Sequence, residues 1–333
     1  MKLTSCLLAC TLALPAHAEG RLHIYSWGEY VSPALIERFS ARYGVEVTID
    51  EYDSNETMLA RVQGGNSGYD IVIPGDYAAQ ILIEQGLLEE TRPDLMENFG
   101  NVDPAHVDVY WDPGRRFTVP WTVGFTGLAV TGTITADMAA IFDPPPGLSG
   151  RIAVLDDMVS VIHAAERFVG VPRCTSDRAE LVRVRDALMA ARPHWRSFGA
   201  DSINRLASGD SDVAMTWSGS VAVLRAQMPD VRFVYEDGPM EAFSDSLAVL
   251  KGAPNPENAR LFLNFMMDPE NAALTAEFAG YPVPVLGVED HLSAEMRAAP
   301  ELNPPAGVIP EFVPPCAPEV IAVYNAIWTE FRR

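Results

Sequence analysis

Aromatic and acidic residues recur where the predicted strands of this sequence pass into loops. The aromatic residues at these positions are Trp27, Tyr30, Tyr77, Trp217, Phe243 and Tyr281, and the acids are Glu29, Asp157 and Asp245. Aromatic faces attract ammonium groups through the ring quadrupole, and a carboxylate neutralises the same charge through strong hydrogen bonds. Any one of these rings alone would be interpreted as core packing. The whole set predicts a pocket for a small organic cation.

The first of these strand ends lies in residues 22–30. The run 22–25 is apolar and predicts a strand, and Trp27, Glu29 and Tyr30 follow it directly. Ser32 and Pro33 then mark a helix start. Ligands of open α/β sheets bind outside the carboxyl ends of the strands. We therefore predict that this stretch forms one wall of the pocket.

Catalytic motifs are lacking from the sequence. It contains no G-x-S-x-G nucleophile elbow, no P-loop and no G-x-G-x-x-G, and its histidines are scattered without metal-ligand spacing. Asp156 and Asp157 could form an acid pair, but adjacent strand residues point to opposite faces, so only one of them faces a given pocket. A binding protein is favoured, and a secreted hydrolase or lyase that uses Asp157 is the alternative.

The charge of the chain is strongly negative. It has 45 acidic and 24 basic residues, a formal net charge of −21. This field argues against nucleic acid and anionic membranes as partners and favours cationic small molecules. Acidity that serves solubility alone explains the charge equally well, so the charge supports the pocket without establishing it.

The N-terminus has the pattern of a signal peptide. Lys2 supplies the positive region, residues 7–14 the apolar region and residues 16–18 an A-x-A cleavage site, which predicts removal of 1–18 and export of the mature chain. The apolar stretch is too short to span a membrane.

Two cysteines, Cys174 and Cys316, remain after the signal peptide is removed. In an oxidising compartment, two cysteines indicate a disulfide rather than a metal site or a nucleophile.

Alternating strand and helix patterns organise the rest of the chain. They predict a doubly wound α/β region up to about residue 86 and a second α/β run from residue 152. Strand-like segments at 123–130 and 243–250 are long enough to pass between two domains. A mature chain of about 315 residues also suggests two domains. The fold class is α/β.

Several pieces of the sequence match one family in order. They are 25–30 (YSWGEY), 53–56 (DSNE), 69–74 (YDIVIP), 204–210 with 213–217 (VAMTW), and 280–282 (GYP). Over nearly the whole mature chain, the protein resembles the bacterial periplasmic polyamine-binding proteins, the putrescine- and spermidine-binding receptors of ABC importers.

This resemblance implies a two-lobed periplasmic binding protein of type II, in which helices flank a mixed sheet in each lobe. The first lobe would comprise 19–124 and 246–287, and the second 125–245 and 288–333, with crossovers near 123–126, 244–247 and 287. The lobes would close on an amine ligand, and an inner-membrane ABC permease would detect the closure. The resemblance implies a monomer without cofactor, metal or enzymatic activity. Both cysteines would lie in the second lobe.

The resemblance also assigns roles to the pocket residues. Trp27, Tyr30 and Trp217 would surround the methylene chain of the ligand, and Asp157 and Asp245, with Glu29, would hold its ammonium groups. The other positions that match ligand-binding positions of the family are Gly75, Tyr77, Ser160, Ser220, Phe243 and Tyr281.

One position departs from the family pattern. The family has a glutamate where this chain has Ser160, so one amine anchor is missing or has moved. Asp76, Asp201 and Glu241 are the candidates to replace it. The ligand is then a putrescine- or spermidine-class polyamine, or a related amine such as an acylated or glutamylated diamine or an amino acid. An iron or anion receptor of similar architecture is disfavoured by the acidic charge and by the lack of adjacent tyrosines.

Overall fold

The computed structural model describes residues 20–199 and 201–333. The predicted signal peptide, 1–18, lies outside the described residues. No helix in the described ranges combines the length and the apolar character that crossing a membrane requires.

Strands and helices alternate at the start of the chain, as the sequence patterns predict. The elements up to the first long strand are β1 (Gly20–Trp27), α1 (Pro33–Tyr43), β2 (Val45–Tyr52), α2 (Asn55–Gln63), β3 (Ile71–Val72), α3 (Asp76–Glu84), β4 (Asp108–Val109), β5 (Asp112–Pro113) and β6 (Thr118–Thr131). Ser32 precedes α1, and Gly44 ends it with a φ of 66°, a conformation that costs glycine little.

A second alternating series follows β6. It comprises β7 (Ile152–Val154), α4 (Met158–Val169), α5 (Arg178–Ala191), β8 (Trp195–Phe198), α6 (Ser202–Ala207), β9 (Val213–Trp217), α7 (Ser218–Arg225), β10 (Val231–Val234), β11 (Gly238–Val249), α8 (Pro256–Met266), α9 (Pro269–Ala279), α10 (Ala294–Arg297), β12 (Val308–Phe312) and α11 (Pro318–Phe331). Short 3-10 turns connect several of these elements.

The two long strands, β6 and β11, connect the two series. The strand order is β2-β1-β3-β11-β6-β9-β7-β8, with β10 also paired to β6 and β12 to β11. The C-terminal end of β11 pairs with β3, whereas the C-terminal half of β6 pairs with β9. We call β1–β3 and the helices packed on them the β1 side, and β7–β9 with their helices the β9 side.

Each side has its own apolar core. Leu22, Ile24 and Phe39 pack with Phe262 on the β1 side. Ile152, Val154 and Val213 pack with residues of α4, α5 and α11 on the β9 side. Helices whose apolar residues recur every three or four positions supply these cores, because that spacing places the residues on one helix face.

Three strands differ from the sequence-based prediction. β1 extends to Trp27, beyond the apolar run 22–25, and β11 begins at Gly238, five residues before the predicted segment 243–250. β12 lies in the proline-rich C-terminal section and pairs in parallel with β11 over residues 238–242. Its sequence, VIPEF, gives little strand signal because proline cannot donate to a ladder.

Candidate ligand-binding site

A cleft of about 970 Å³ lies between the β1 side and the β9 side. The strands on each side are parallel, so the carboxyl ends of β1–β3 and of β7 and β9 meet at common edges. The cleft is lined by all the predicted site residues, namely Trp27, Glu29, Tyr30, Gly75, Tyr77, Asp157, Ser160, Trp217, Ser220, Phe243, Asp245 and Tyr281. The fold thus brings these side chains together from seven different elements and their loops.

The charged residues that line the cleft are all acidic. They are Glu29, Glu51, Asp53, Asp76, Asp157, Glu241 and Asp245, and no arginine, lysine or histidine of the described residues lines it. Glu29, Glu51 and Asp53 are exposed, whereas Asp76 and Asp245 are buried, and desolvation penalises the ionised form of a buried carboxylate that has no cationic partner. The cleft therefore provides charge for a cationic ligand to neutralise.

Asp245 is at the centre of this set and is 5% exposed. The Tyr30 hydroxyl donates a hydrogen bond of 2.5 Å to Asp245 Oδ2 and also contacts the Thr122 hydroxyl. Burial raises the pKa of Asp245 to about 7, against the hydrogen bond from Tyr30. Gly75 lies beside Asp245, since a β-carbon added to it would lie 3.4 Å from Asp245 Oδ1.

Asp157 begins α4. Its Oδ1 accepts a hydrogen bond of 2.9 Å from the backbone N–H of Ser160, as expected for a helix N-cap. Burial and the nearby charge of Glu56 raise the pKa of Asp157 to about 7, and the Ser160 N–H opposes them. Its neighbour Asp156 instead pairs with Arg332 at 2.9 Å, so only one of the two adjacent acids lines the cleft.

The three candidates to replace the missing glutamate lie in different places. Asp201 pairs with Arg205 at 2.9 Å and does not line the cleft. Asp76 lines it, but burial raises the pKa of this carboxyl well above its ordinary value. Glu241 lines the cleft and accepts a hydrogen bond from the Ser160 hydroxyl.

Two tryptophans face each other across the cleft. The rings of Trp27, from the end of β1, and Trp217, from the end of β9, pack edge to face with centroids 6.3 Å apart. The indole N–H of Trp27 donates to the Ile73 carbonyl at 3.0 Å, which holds the ring in place. The pair provides apolar contact from both sides of the fold.

A second aromatic group lies near Asp245. Tyr281 packs edge to face against Tyr30 and Phe243, with centroids 5.8 and 5.7 Å apart. The ring of Tyr281 lies so close to α7 that a β-carbon at Gly219 would be 2.4 Å from it. Glycine at 219 is therefore needed for Tyr281 to occupy this position.

Glu29 and Tyr77 line the outer part of the cleft. Glu29 is exposed and has a φ of 52°, and its backbone N–H lies 3.4 Å from Glu51 Oε1. The hydroxyl of Tyr77 donates to Glu56 Oε1 at 3.0 Å. Solvent screens a charge at the rim, so Glu29 contributes less to ligand binding than a buried carboxylate does.

Two residues of the cleft, Tyr52 and Asn55, were not among the predicted site residues. Tyr52, at the end of β2, packs on Trp27 with centroids 4.8 Å apart, and Asn55 accepts a hydrogen bond from the Gly75 N–H. Both follow or precede a strand–helix junction, the same signal that identified Trp27. Glu241, which the sequence offered only as one of three candidates to replace the missing glutamate, has no strand-end signal, because it lies within β11.

Cys174 and Cys316 form a disulfide, as predicted. The bond joins the segment between α4 and α5 to the segment before α11, and Cys316 is part of the core of the β9 side. Both cysteines are on the side opposite the β1 wall of the cleft.

The raised pKa values predict how stability depends on pH. The folded protein binds more protons than the unfolded chain between the ordinary pKa of an aspartate and about 7, so stability falls as the pH rises through that range. Without ligand, we expect each such group to cost up to about 1.4 kcal/mol per pH unit between pH 4 and 7. Urea unfolding at pH 5 and 7.5 measures this, and greater stability at pH 7.5 would contradict it.

Comparisons with known proteins agree with this geometry. The family model for bacterial extracellular solute-binding proteins matches residues 34–304. The spermidine/putrescine-binding periplasmic protein of Escherichia coli (strain K12) is 31% identical over 306 residues, covering 88% of this chain and 86% of that protein. The putrescine/cadaverine-binding protein of Pseudomonas aeruginosa is 28% identical and covers 98% of each. The resemblance predicted from the sequence is confirmed.

The fold is confirmed by a solved structure. The putative spermidine/putrescine ABC transporter protein from Listeria monocytogenes superposes with a TM-score of 0.85 at 27% identity, covering 94% of this chain and 98% of that one.

Proposed function

The chain belongs to the bacterial extracellular solute-binding proteins of ABC transporters, and from this premise we propose that it binds a polyamine of the putrescine or spermidine class. Members of this family are not enzymes, so the hydrolase or lyase alternative is set aside. Two similar proteins carry names that state polyamine binding. These names support the ligand class.

The acidic cleft carries the proposal. Seven carboxylates line the cleft, and none of the basic residues in the described part of the chain lines it. Two of these carboxylates, Asp157 and Asp245, have pKa values raised to about 7. A ligand with at least two ammonium groups neutralises such a site and forms charge-assisted hydrogen bonds with it. A neutral or anionic solute would leave the carboxylates uncompensated.

The aromatic residues complement the ligand's carbon chain. Trp27 and Trp217 approach from opposite walls and Tyr30 lies beside Asp245, so a methylene chain would lie against rings while its ends meet carboxylates. Asp245 and Asp157 would hold ammonium groups, and Glu29 would attract the ligand at the rim. A cation over an aromatic face contributes about 0.5–2 kcal/mol.

The fold supports a two-lobed mechanism in the periplasm. In this proposal the lobes are 19–124 with 246–287 and 125–245 with 288–333, and β6 and β11 connect them. Bound amine links carboxylates and rings from both walls, so it favours the closed arrangement over the open one. A permease that binds only the closed arrangement would then receive loaded protein.

Calorimetric titration of the mature chain tests the ligand class. We expect saturable binding of putrescine or spermidine, and no heat of binding with citrate or glucose as matched non-cationic controls. Acylated diamines and amino acids belong in the same panel. Binding of one of these in preference to every polyamine would overturn the proposed ligand.

A further inference from the structure

One serine holds two carboxylates of the cleft. The backbone N–H of Ser160 donates to Asp157 Oδ1, and its side-chain hydroxyl donates to Glu241 Oε1. Ser160 is in the first turn of α4 and is 8% exposed, while Glu241 is in β11, 81 residues further along the chain. Two acids from different elements are thus placed next to each other on the β9 side.

The buried His163 lies near the other oxygen of Glu241 without a hydrogen bond to it. Nδ1 of the buried His163 lies 3.7 Å from Glu241 Oε2, and His163 is three residues after Ser160 on α4. Burial tends to raise the pKa of Glu241, but His163, Ser160 and the charge of Arg173 together lower it below its ordinary value. Glu241 therefore ionises more readily than Asp157 and Asp245, whose pKa values are raised by burial.

Glu241 and Asp245 share one face of β11. They are four residues apart, and side chains at such spacing point to the same side of a strand, about 13 Å apart at their α-carbons. Both line the cleft. The strand therefore presents one carboxylate at the centre of the cleft and a second one on the β9 side.

We propose that Glu241 anchors an ammonium group of the bound amine on the β9 side, with Ser160 as the residue that positions it. The carboxylate comes from β11 instead of from α4, and Ser160 leaves the space that a longer acidic side chain on α4 would fill. This inference rests on the proposed function, because it assigns a residue to the same amine site.

Titration of Glu241→Gln with spermidine and putrescine tests the assignment. Losing a charge-assisted hydrogen bond should weaken binding about tenfold or more. Glu289→Gln is the matched control, since Glu289 is exposed and does not line the cleft. We expect it to bind within twofold of the unmodified protein. Equal affinity of Glu241→Gln and the unmodified protein overturns this inference alone, whereas no polyamine binding by the unmodified protein overturns the proposed function as well.

Exchanging the two side chains tests whether Glu241 binds the ammonium group or only packs against its neighbours. The double variant Ser160→Glu with Glu241→Ser keeps one carboxylate and one hydroxyl at the same contact. We expect it to recover most of the affinity that Glu241→Gln loses. A double variant that folds, by thermal unfolding, but binds as weakly as Glu241→Gln would show that the loss came from altered packing and would overturn the anchor.

Discussion

Replacing Asp245 with asparagine is expected to reduce polyamine affinity by two to three orders of magnitude. Asparagine keeps the shape of the side chain and can still accept the Tyr30 hydrogen bond, so only the negative charge is lost. The ligand ammonium would then be desolvated without a partner, which costs about 3–5 kcal/mol for a buried pair. Calorimetric titration at pH 7.5 measures the change. A dissociation constant within a factor of three of the unmodified protein would refute the role of Asp245.

The same substitution is not expected to lower the stability of the protein without ligand, although it weakens binding. The pKa of Asp245 is raised to about 7 by burial, so its carboxyl lowers the stability of the protein without ligand as the pH rises from about 4 to 7, and the full cost is present at pH 8. Asp245→Asn should therefore be at least as stable as the unmodified chain in urea at pH 8, although it no longer binds. Asp290→Asn, at an exposed position outside the cleft, is the control and should change neither the polyamine affinity nor the stability in urea. A strongly destabilised Asp245→Asn would mean that Asp245 is structural.

Of the variants proposed here, the one without the disulfide should lose the most stability. Cys174 and Cys316 are 142 residues apart in sequence, and closing a loop of that length is worth about 4–5 kcal/mol through the entropy of the unfolded chain. We expect the variant Cys174→Ala with Cys316→Ala to lose a comparable amount in urea unfolding monitored by tryptophan fluorescence.

Reduction of the unmodified protein provides the control. Urea unfolding with dithiothreitol should shift the transition midpoint of the unmodified chain toward that of the double variant and leave the variant itself unchanged. Identical midpoints with and without reductant would mean that the bond contributes nothing to stability. The effect of the bond on binding is expected to be small, because neither cysteine lines the cleft.

Much of the cleft could be predicted from the sequence because of how parallel strands are arranged. Trp27, Asp157 and Trp217 each follow a predicted strand directly, and the carboxyl ends of neighbouring parallel strands meet at one edge of a sheet. An aromatic or acidic residue at such a position therefore faces a shared space, whichever order the strands take. The disulfide could be predicted for a similarly simple reason, since only two cysteines remain after the predicted signal peptide.

The partner of Ser160 could be decided only by the tertiary structure. From the sequence, Asp76, Asp201 and Glu241 were equal candidates for the missing carboxylate. The fold pairs Asp201 with Arg205 outside the cleft, places Asp76 at the start of α3 on the β1 side, and places Glu241 against the Ser160 hydroxyl. Local sequence determines where a strand or helix begins, because neighbouring residues set those preferences. Which side chains of β11 and α4 meet depends on the register and packing of elements 81 residues apart, and no local pattern contains that information.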